Sequence, residues 1–105
     1  MSARPASVED VFLRSERMVG RRIADEFVLV PLAARGADVD ALFNLNAAAT
    51  FIWEHLDGRT TGAQIVAALV ERFDVETEQA GRDYLTLMDQ LCAIQAVTRV
   101  EPQQT

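Results

Sequence analysis

The sequence predicts an α+β fold: a three-stranded antiparallel sheet followed by three helices in a winged helix-turn-helix arrangement. Three observations point to it. Residues 18–33 alternate loosely and contain the β-branched and aromatic run Phe27-Val28-Leu29-Val30, which suits a half-buried pleated surface. Beyond residue 46 the apolar residues recur instead at steps of three and four, the helical period. Between the two regimes lies FNLNAAATFIWEHLDG, residues 43–58, which couples the end of a strand to a short apolar helix and then to a sharp turn.

Residues 1–10 are polar and proline-containing and read as a flexible N-terminal tail. Val11-Phe12-Leu13 is a short apolar run suited to packing on a sheet edge. A hairpin follows, with strands over residues 18–24 and 27–33 around a turn at Asp25-Glu26. Pro31 lacks an N–H, which places it at a strand end or on an edge. Residues 34–38 connect to a third strand over 39–45. Asn46 is an N-cap for the first helix, since its side-chain carbonyl can accept from first-turn N–H groups. Ala49, Ile52, Trp53 and Leu56 then bury one stripe, with Trp53 as a core anchor. Asp57-Gly58 ends that helix, Gly58 being free to take a positive φ. Thr61-Gly62-Ala63-Gln64 fits a capping box and opens a second helix to about Phe73, so the two helices meet across residues 57–60 as a helix-turn-helix. The third helix spans residues 77–96, with Ala80, Tyr84, Leu87, Met88, Leu91 and Ile94 on its core face. Leu85 and Cys92 widen that stripe. The folded unit is expected over residues 11–97, and residues 98–105 read as a C-terminal tail.

Composition excludes several functions. At 105 residues the chain holds one small core. All ten basic residues are arginine, and sixteen acids bring the formal charge to −6. Past residue 56 only Arg59, Arg72, Arg82 and Arg99 oppose eight acids, so a nucleic-acid partner would meet like charge. A lone cysteine, Cys92, makes no internal disulfide, and neither a second cysteine nor paired histidines stand by to form a metal site. No metal or cofactor is expected. MSARPASVED has no apolar core segment and does not read as a secretory signal, and no apolar run is long enough to cross a bilayer, which together suggest a cytoplasmic protein.

Catalytic groups do not converge. His55, the single histidine, sits at the end of the first helix, where the helix dipole favours a cation. Its pairing with Cys92 has no local signature. The carboxylate pairs Asp38/Asp40 and Glu76/Glu78 lie in polar surroundings that would not separate their pKa values. The glycines form no phosphate loop, and the chain reads as a binding protein rather than an enzyme.

The binding feature lies between the third strand and the third helix. Asp40-Ala41-Leu42-Phe43 would present an open strand edge, an aggregation hazard unless another chain covers it. An extended peptide can add to such an edge, with backbone hydrogen bonds giving affinity and side-chain pockets giving selectivity. Leu85, Met88 and Cys92 would then floor the groove, Met88 adapting to ligand shape, while Arg82 and Asp89 flank it and set the peptide's direction. The same residues accommodate another reading, in which Met88 is core and Leu85/Cys92 is a homodimer seam. The pattern alone leaves both open, and with them a monomer or a homodimer.

A family resemblance tips this balance. The pattern Asn-x-x-Ala-x-x-Ile-Trp-x-x-x-Asp-Gly-x-x-Thr-x-x-x-Ile, carried by Asn46, Ala49, Ile52, Trp53, Asp57, Gly58, Thr61 and Ile65, resembles the PqqD family, the pyrroloquinoline quinone biosynthesis protein D group. The likeness continues through Leu69, Phe73-Asp74, Asp83 and Leu91, over roughly three quarters of the chain. The chain departs from the family in a longer connection between the second and third strands, and in Gln95-Ala96 where members commonly carry Gly-Leu. The resemblance implies a small non-catalytic peptide chaperone. Such a protein binds the leader of a ribosomally made precursor peptide and presents it to a modifying enzyme, often a radical S-adenosylmethionine maturase. Two other classes compete: a winged-helix DNA-binding regulator, and a protein adaptor using the same sheet edge. The third helix argues against DNA, offering only Arg82 against Glu76, Glu78, Asp83 and Asp89.

Overall fold

The computed structural model describes residues 6–32 and 43–100. In chain order the elements are β1 (Val11–Arg14), β2 (Met18–Ile23), β3 (Glu26–Pro31), β4 (Phe43–Leu45), α1 (Ala47–Glu54), β5 (Asp57–Thr61), α2 (Gly62–Phe73), α3 (Thr77–Ala93) and β6 (Val97–Val100). The fold is α+β, with two three-stranded antiparallel sheets, β2-β3-β4 and β5-β1-β6, where the sequence suggested one.

The first sheet follows the sequence closely. β2 and β3 pair from Met18↔Pro31 to Ile23↔Glu26, so the hairpin turns at Ala24-Asp25, one residue earlier than expected. Ala24 takes φ 56 there, a positive value that matches the right-handed twist of the flanking strands. β4 adds to β3 through Phe27↔Leu45, Val28↔Asn44 and Leu29↔Phe43. Residues 39–42 of the expected third strand, including Asp40, Ala41 and Leu42, lie outside the described residues, as does the connection at 34–38.

The second sheet corrects the sequence reading at three places. Val11-Phe12-Leu13 belongs to the central strand of its own sheet rather than to an edge of the hairpin's. Asp57–Thr61 forms β5 against β1, so the link between α1 and α2 is a strand and not a simple turn. Thr98, Arg99 and Val100, assigned to a tail, pair with β1 in the register Leu13↔Thr98, Phe12↔Arg99 and Val11↔Val100. These strands are four or five residues long, and alternation over so few positions carries little information.

Residues 6–10 are also tied down, where a frayed tail was expected. The carbonyls of Val8 and Asp10 accept from the N–H groups of Ala63 (2.8 Å) and Gly62 (3.1 Å), satisfying two donors that the first turn of α2 leaves over. The capping box supplies the next: Thr61 Oγ1 accepts from Gln64 N–H at 3.2 Å while Gln64 Oε1 accepts from Thr61 N–H at 2.9 Å. Asp10 in turn meets Arg99 Nε at 3.2 Å, joining this segment to β6.

The core sits between the β2-β3-β4 sheet and the three helices. Leu29 and Leu45 from the sheet pack with Ile52, Trp53, Ile65, Leu69, Tyr84, Leu87, Met88 and Leu91 from the helices, joined by Phe12 and Leu56. Trp53 is buried, and a side chain at Gly20 would collide with the Phe27 ring and press on Trp53 Nε1. Asn46 Oδ1 accepts from Ala49 N–H at 2.8 Å and caps α1. Gly58 takes φ 80, but inside β5 and after a helix that already ended at His55. Asp57 organises this corner: its Oδ1 accepts from the N–H groups of Arg59 and Thr60, each at 2.9 Å. Those bonds hold its carboxyl below the ordinary carboxylate value. Ile94, expected on the core face of α3, is exposed just beyond the helix end.

Candidate functional site

β4 is short and joins α1 through the single capping residue Asn46, so the strand edge and the helix start are held at one corner. Among the described residues β4 pairs with β3 alone, which leaves its other edge without a strand partner. Beside that edge lies a cleft of about 440 Å³. Phe43, Asn44, Leu45 and Asn46 form one wall. Ala48, Ala49 and Ile52 of α1 form the floor, the two alanines leaving room that larger side chains would fill. Asp83, Thr86, Leu87 and Gln90 of α3 form the opposite wall, at helical spacing along one stripe.

The cleft is apolar at its base and polar at its rim. Ile52, Leu45 and Leu87 are buried there, while Asn44, Asn46, Asp83, Thr86 and Gln90 are exposed. Asn44 Nδ2 donates to Glu26 Oε1 at 3.2 Å, and Asp83 Oδ1 accepts from Gln79 Nε2 at 2.9 Å. Asp83 is the one acidic or basic residue among the described residues lining the cleft.

Of the residues singled out from the sequence for peptide contact, Phe43 lines the cleft, and Asp40, Ala41 and Leu42 fall outside the described residues. The five on α3 do not line it. Met88 is fully buried in the core, beyond the reach of an incoming segment. Leu85 packs against the core half-buried, one residue and so about 100° around the helix from Thr86. Asp89 accepts from the Ala6 N–H at 3.4 Å, and Arg82 donates to Gln79 Oε1 at 3.1 Å. Cys92 is exposed; partial burial pushes its thiol up, with Arg99 countering and the Asp89 and Asp10 carboxylates adding. The widened stripe of α3 thus turns toward the N-terminal segment, and its neighbouring stripe faces β4.

Sequence reasoning missed Thr86, Leu87 and Gln90 as cleft residues and left Asp83 divided between a surface or capping role and contact with a partner. The available signal was their own spacing from Asp83 through Gln90, polar at the ends with Leu87 between. Which side of the core stripe meets the sheet is a tertiary decision.

A larger cleft, about 850 Å³, opens on the other flank of α1 between the hairpin and α2. It is a crease of mixed charge lined by Arg22, Glu26, Glu54 and Arg72 together with Phe51, His55 and Phe73. His55 is occupied there, its Nδ1 hydrogen-bonded to the Phe51 carbonyl at 2.7 Å and its ring 4.2 Å from that of Phe51. Among the described residues no group of three or more His, Cys, Asp or Glu side chains is placed to hold a metal ion. No helix among them is long and apolar enough to cross a membrane.

The family model of coenzyme PQQ synthesis protein D, PqqD, matches residues 21–97, which takes in both walls and the floor of the cleft. The chain belongs to the PqqD family. A solved structure titled as TbiB1 in complex with the TbiA(beta) leader peptide shares the fold, with a TM-score of 0.65 over 89% of this chain and 99% of that one. Sequence identity to it is 24%. Among curated proteins none matches the chain significantly. The PqqD match spans the signature from Asn46 to Ile65 that carried the resemblance.

Proposed function

We propose that this PqqD-family protein is a non-catalytic peptide chaperone. It binds the leader segment of a ribosomally synthesised precursor along β4 and against α3, and presents the rest of the precursor to a modifying enzyme of the radical S-adenosylmethionine type. The observation that carries this reading is the β4 edge, unpaired among the described residues and bordering an apolar-floored cleft. A strand edge supplies a row of backbone donors and acceptors, and the cleft supplies pockets for alternate side chains of an added strand. The family membership supports the reading, as does a structural neighbour that was solved with a leader peptide. Binding alone accounts for the benefit to the reaction: a leader held beside the enzyme raises the effective concentration of the segment to be modified.

The test uses the isotope-labelled full chain and synthetic leader peptides, taken from whatever short precursor reading frames sequencing finds beside its gene. Amide shifts are expected at Asn44, Leu45, Thr86 and Gln90. Thr86→Trp, an exposed substitution that fills the cleft, should abolish them. Leu85→Asp should lower the melting temperature while leaving peptide affinity within about two-fold, because it is a packing residue on another side of α3. Shifts confined to the Leu85, Asp89 and Cys92 side would overturn the β4 site, and the absence of any shift would overturn the function.

A further inference from the structure

Resting on the peptide-binding reading above, we infer that the site selects a cationic leader. Its recognition element carries an arginine or lysine two positions from a large apolar residue, the cation on Asp83 and the apolar side chain over Leu87. Among its described residues the cleft combines one formal charge with a neutral remainder. The other described lining residues carry no ionisable side chain, which leaves Asp83 to set the sign among them. Gln79 engages one Asp83 oxygen, Oδ1, and donates to it without neutralising it. The chain as a whole carries −6, so its long-range field attracts a basic peptide as well.

Geometry sets the spacing. Asp83 and Leu87 are four residues apart on α3, which places them about 6 Å apart along the helix axis. In an extended segment, side chains on one face recur every second residue, about 6.7 Å apart. On this inference the bound peptide runs alongside α3 as well as β4, so that one side chain meets Asp83 and the next on the same face meets Leu87. The intervening side chain points to the other face of the sheet. Gln90 lies a further three residues along α3, within reach of the next same-face position and able to bond a polar group there. A single exposed carboxylate contributes modestly to affinity and more to encounter rate and to the choice between basic and acidic ligands.

Panning a random peptide library displayed on phage against the full chain tests this, with parallel selections on Asp83→Asn and on Thr86→Trp. The expected result is an enriched pool with arginine or lysine two positions from a leucine, isoleucine, phenylalanine or tyrosine. The basic preference should vanish on Asp83→Asn, and the pool should not arise on Thr86→Trp. A selected peptide made synthetically should bind Asp83→Asn about three- to five-fold more weakly, with a shallower dependence on salt. A pool of apolar peptides lost on Thr86→Trp but indifferent to charge, or enriched in acids, would overturn the cationic selectivity and leave the peptide-binding site standing. No enrichment, or a pool that persists on Thr86→Trp, would overturn the site itself. If the enriched cleft is instead blocked by self-association, Thr86→Trp will shift the sedimentation of the free chain, and that result too overturns the inference.

Discussion

Tyr84 is fully buried, yet its hydroxyl has no hydrogen-bond partner among the described residues. The ring fits because position 62 is glycine: a Cβ there would stand 2.7 Å from the Tyr84 ring and 2.8 Å from both its hydroxyl and the Val8 backbone. Burial, and then the nearby Asp10 carboxylate and Cys92, push the phenol up to about 12 from 10.0. The folded chain therefore keeps this proton over a pH range in which the unfolded chain loses it. The associated stability is complete below pH 10 and is lost as pH rises toward 12. Tyr84→Phe removes an unsatisfied hydroxyl, so it should raise unfolding free energy by about 1 kcal/mol at pH 7 and flatten the alkaline decline. Urea titrations at neutral and alkaline pH measure both effects. Because Tyr84 is the single tyrosine, phenolate absorbance reports its titration directly. Gly62→Ala makes the opposite case. Alanine is the better helix former, but the added methyl collides with Tyr84 and Val8, so a loss of about 1–3 kcal/mol is expected in the same measurement.

At the scale of elements, ends are where the chain speaks most clearly. The Asn46 cap and the Thr61/Gln64 box were legible because each is local chemistry between residues three apart, and all three bonds form. The end of α3 carries a local backbone cost. Gln95 takes φ 60, the left-handed conformation that glycine adopts without a Cβ penalty. Gln95→Gly should therefore stabilise the fold by about 1 kcal/mol, read as a higher midpoint in urea at unchanged slope. Strands were less legible than helices. β2 and β3 announce themselves with six residues each, whereas β5, written DGRTT, has no apolar alternation and forms because Asp57 folds the corner and β1 is there to receive it.

Over the whole molecule, the two ends of the described chain stabilise each other through the second sheet. β1 is central, β6 pairs along its full length, and Asp10 meets Arg99 across the join, with the Arg99 guanidinium 5.4 Å from the Phe12 ring centre. Ending the chain after Ala96 removes β6, uncovers Phe12 and strips Asp10 of this arginine. A lower melting temperature is expected by circular dichroism, together with faster amide exchange in Val11–Arg14; an unchanged melt would mean that the second sheet contributes little. The sequence by itself determined the α+β class, the hairpin, the three helices with the caps of α1 and α2, and, through the signature from Asn46 to Ile65, the family. Those features are written in periodicity, capping and a motif over a few neighbouring residues. Tertiary structure decided that there are two sheets, that residues 6–10 close over α2, and that Asp83, Thr86, Leu87 and Gln90 rather than Leu85, Met88 and Cys92 face β4. The physical reason is that strand partners and the rotation of a helix about its own axis are chosen by packing between residues far apart in sequence, and a stripe wider than the core leaves that rotation unspecified until the neighbours are in place.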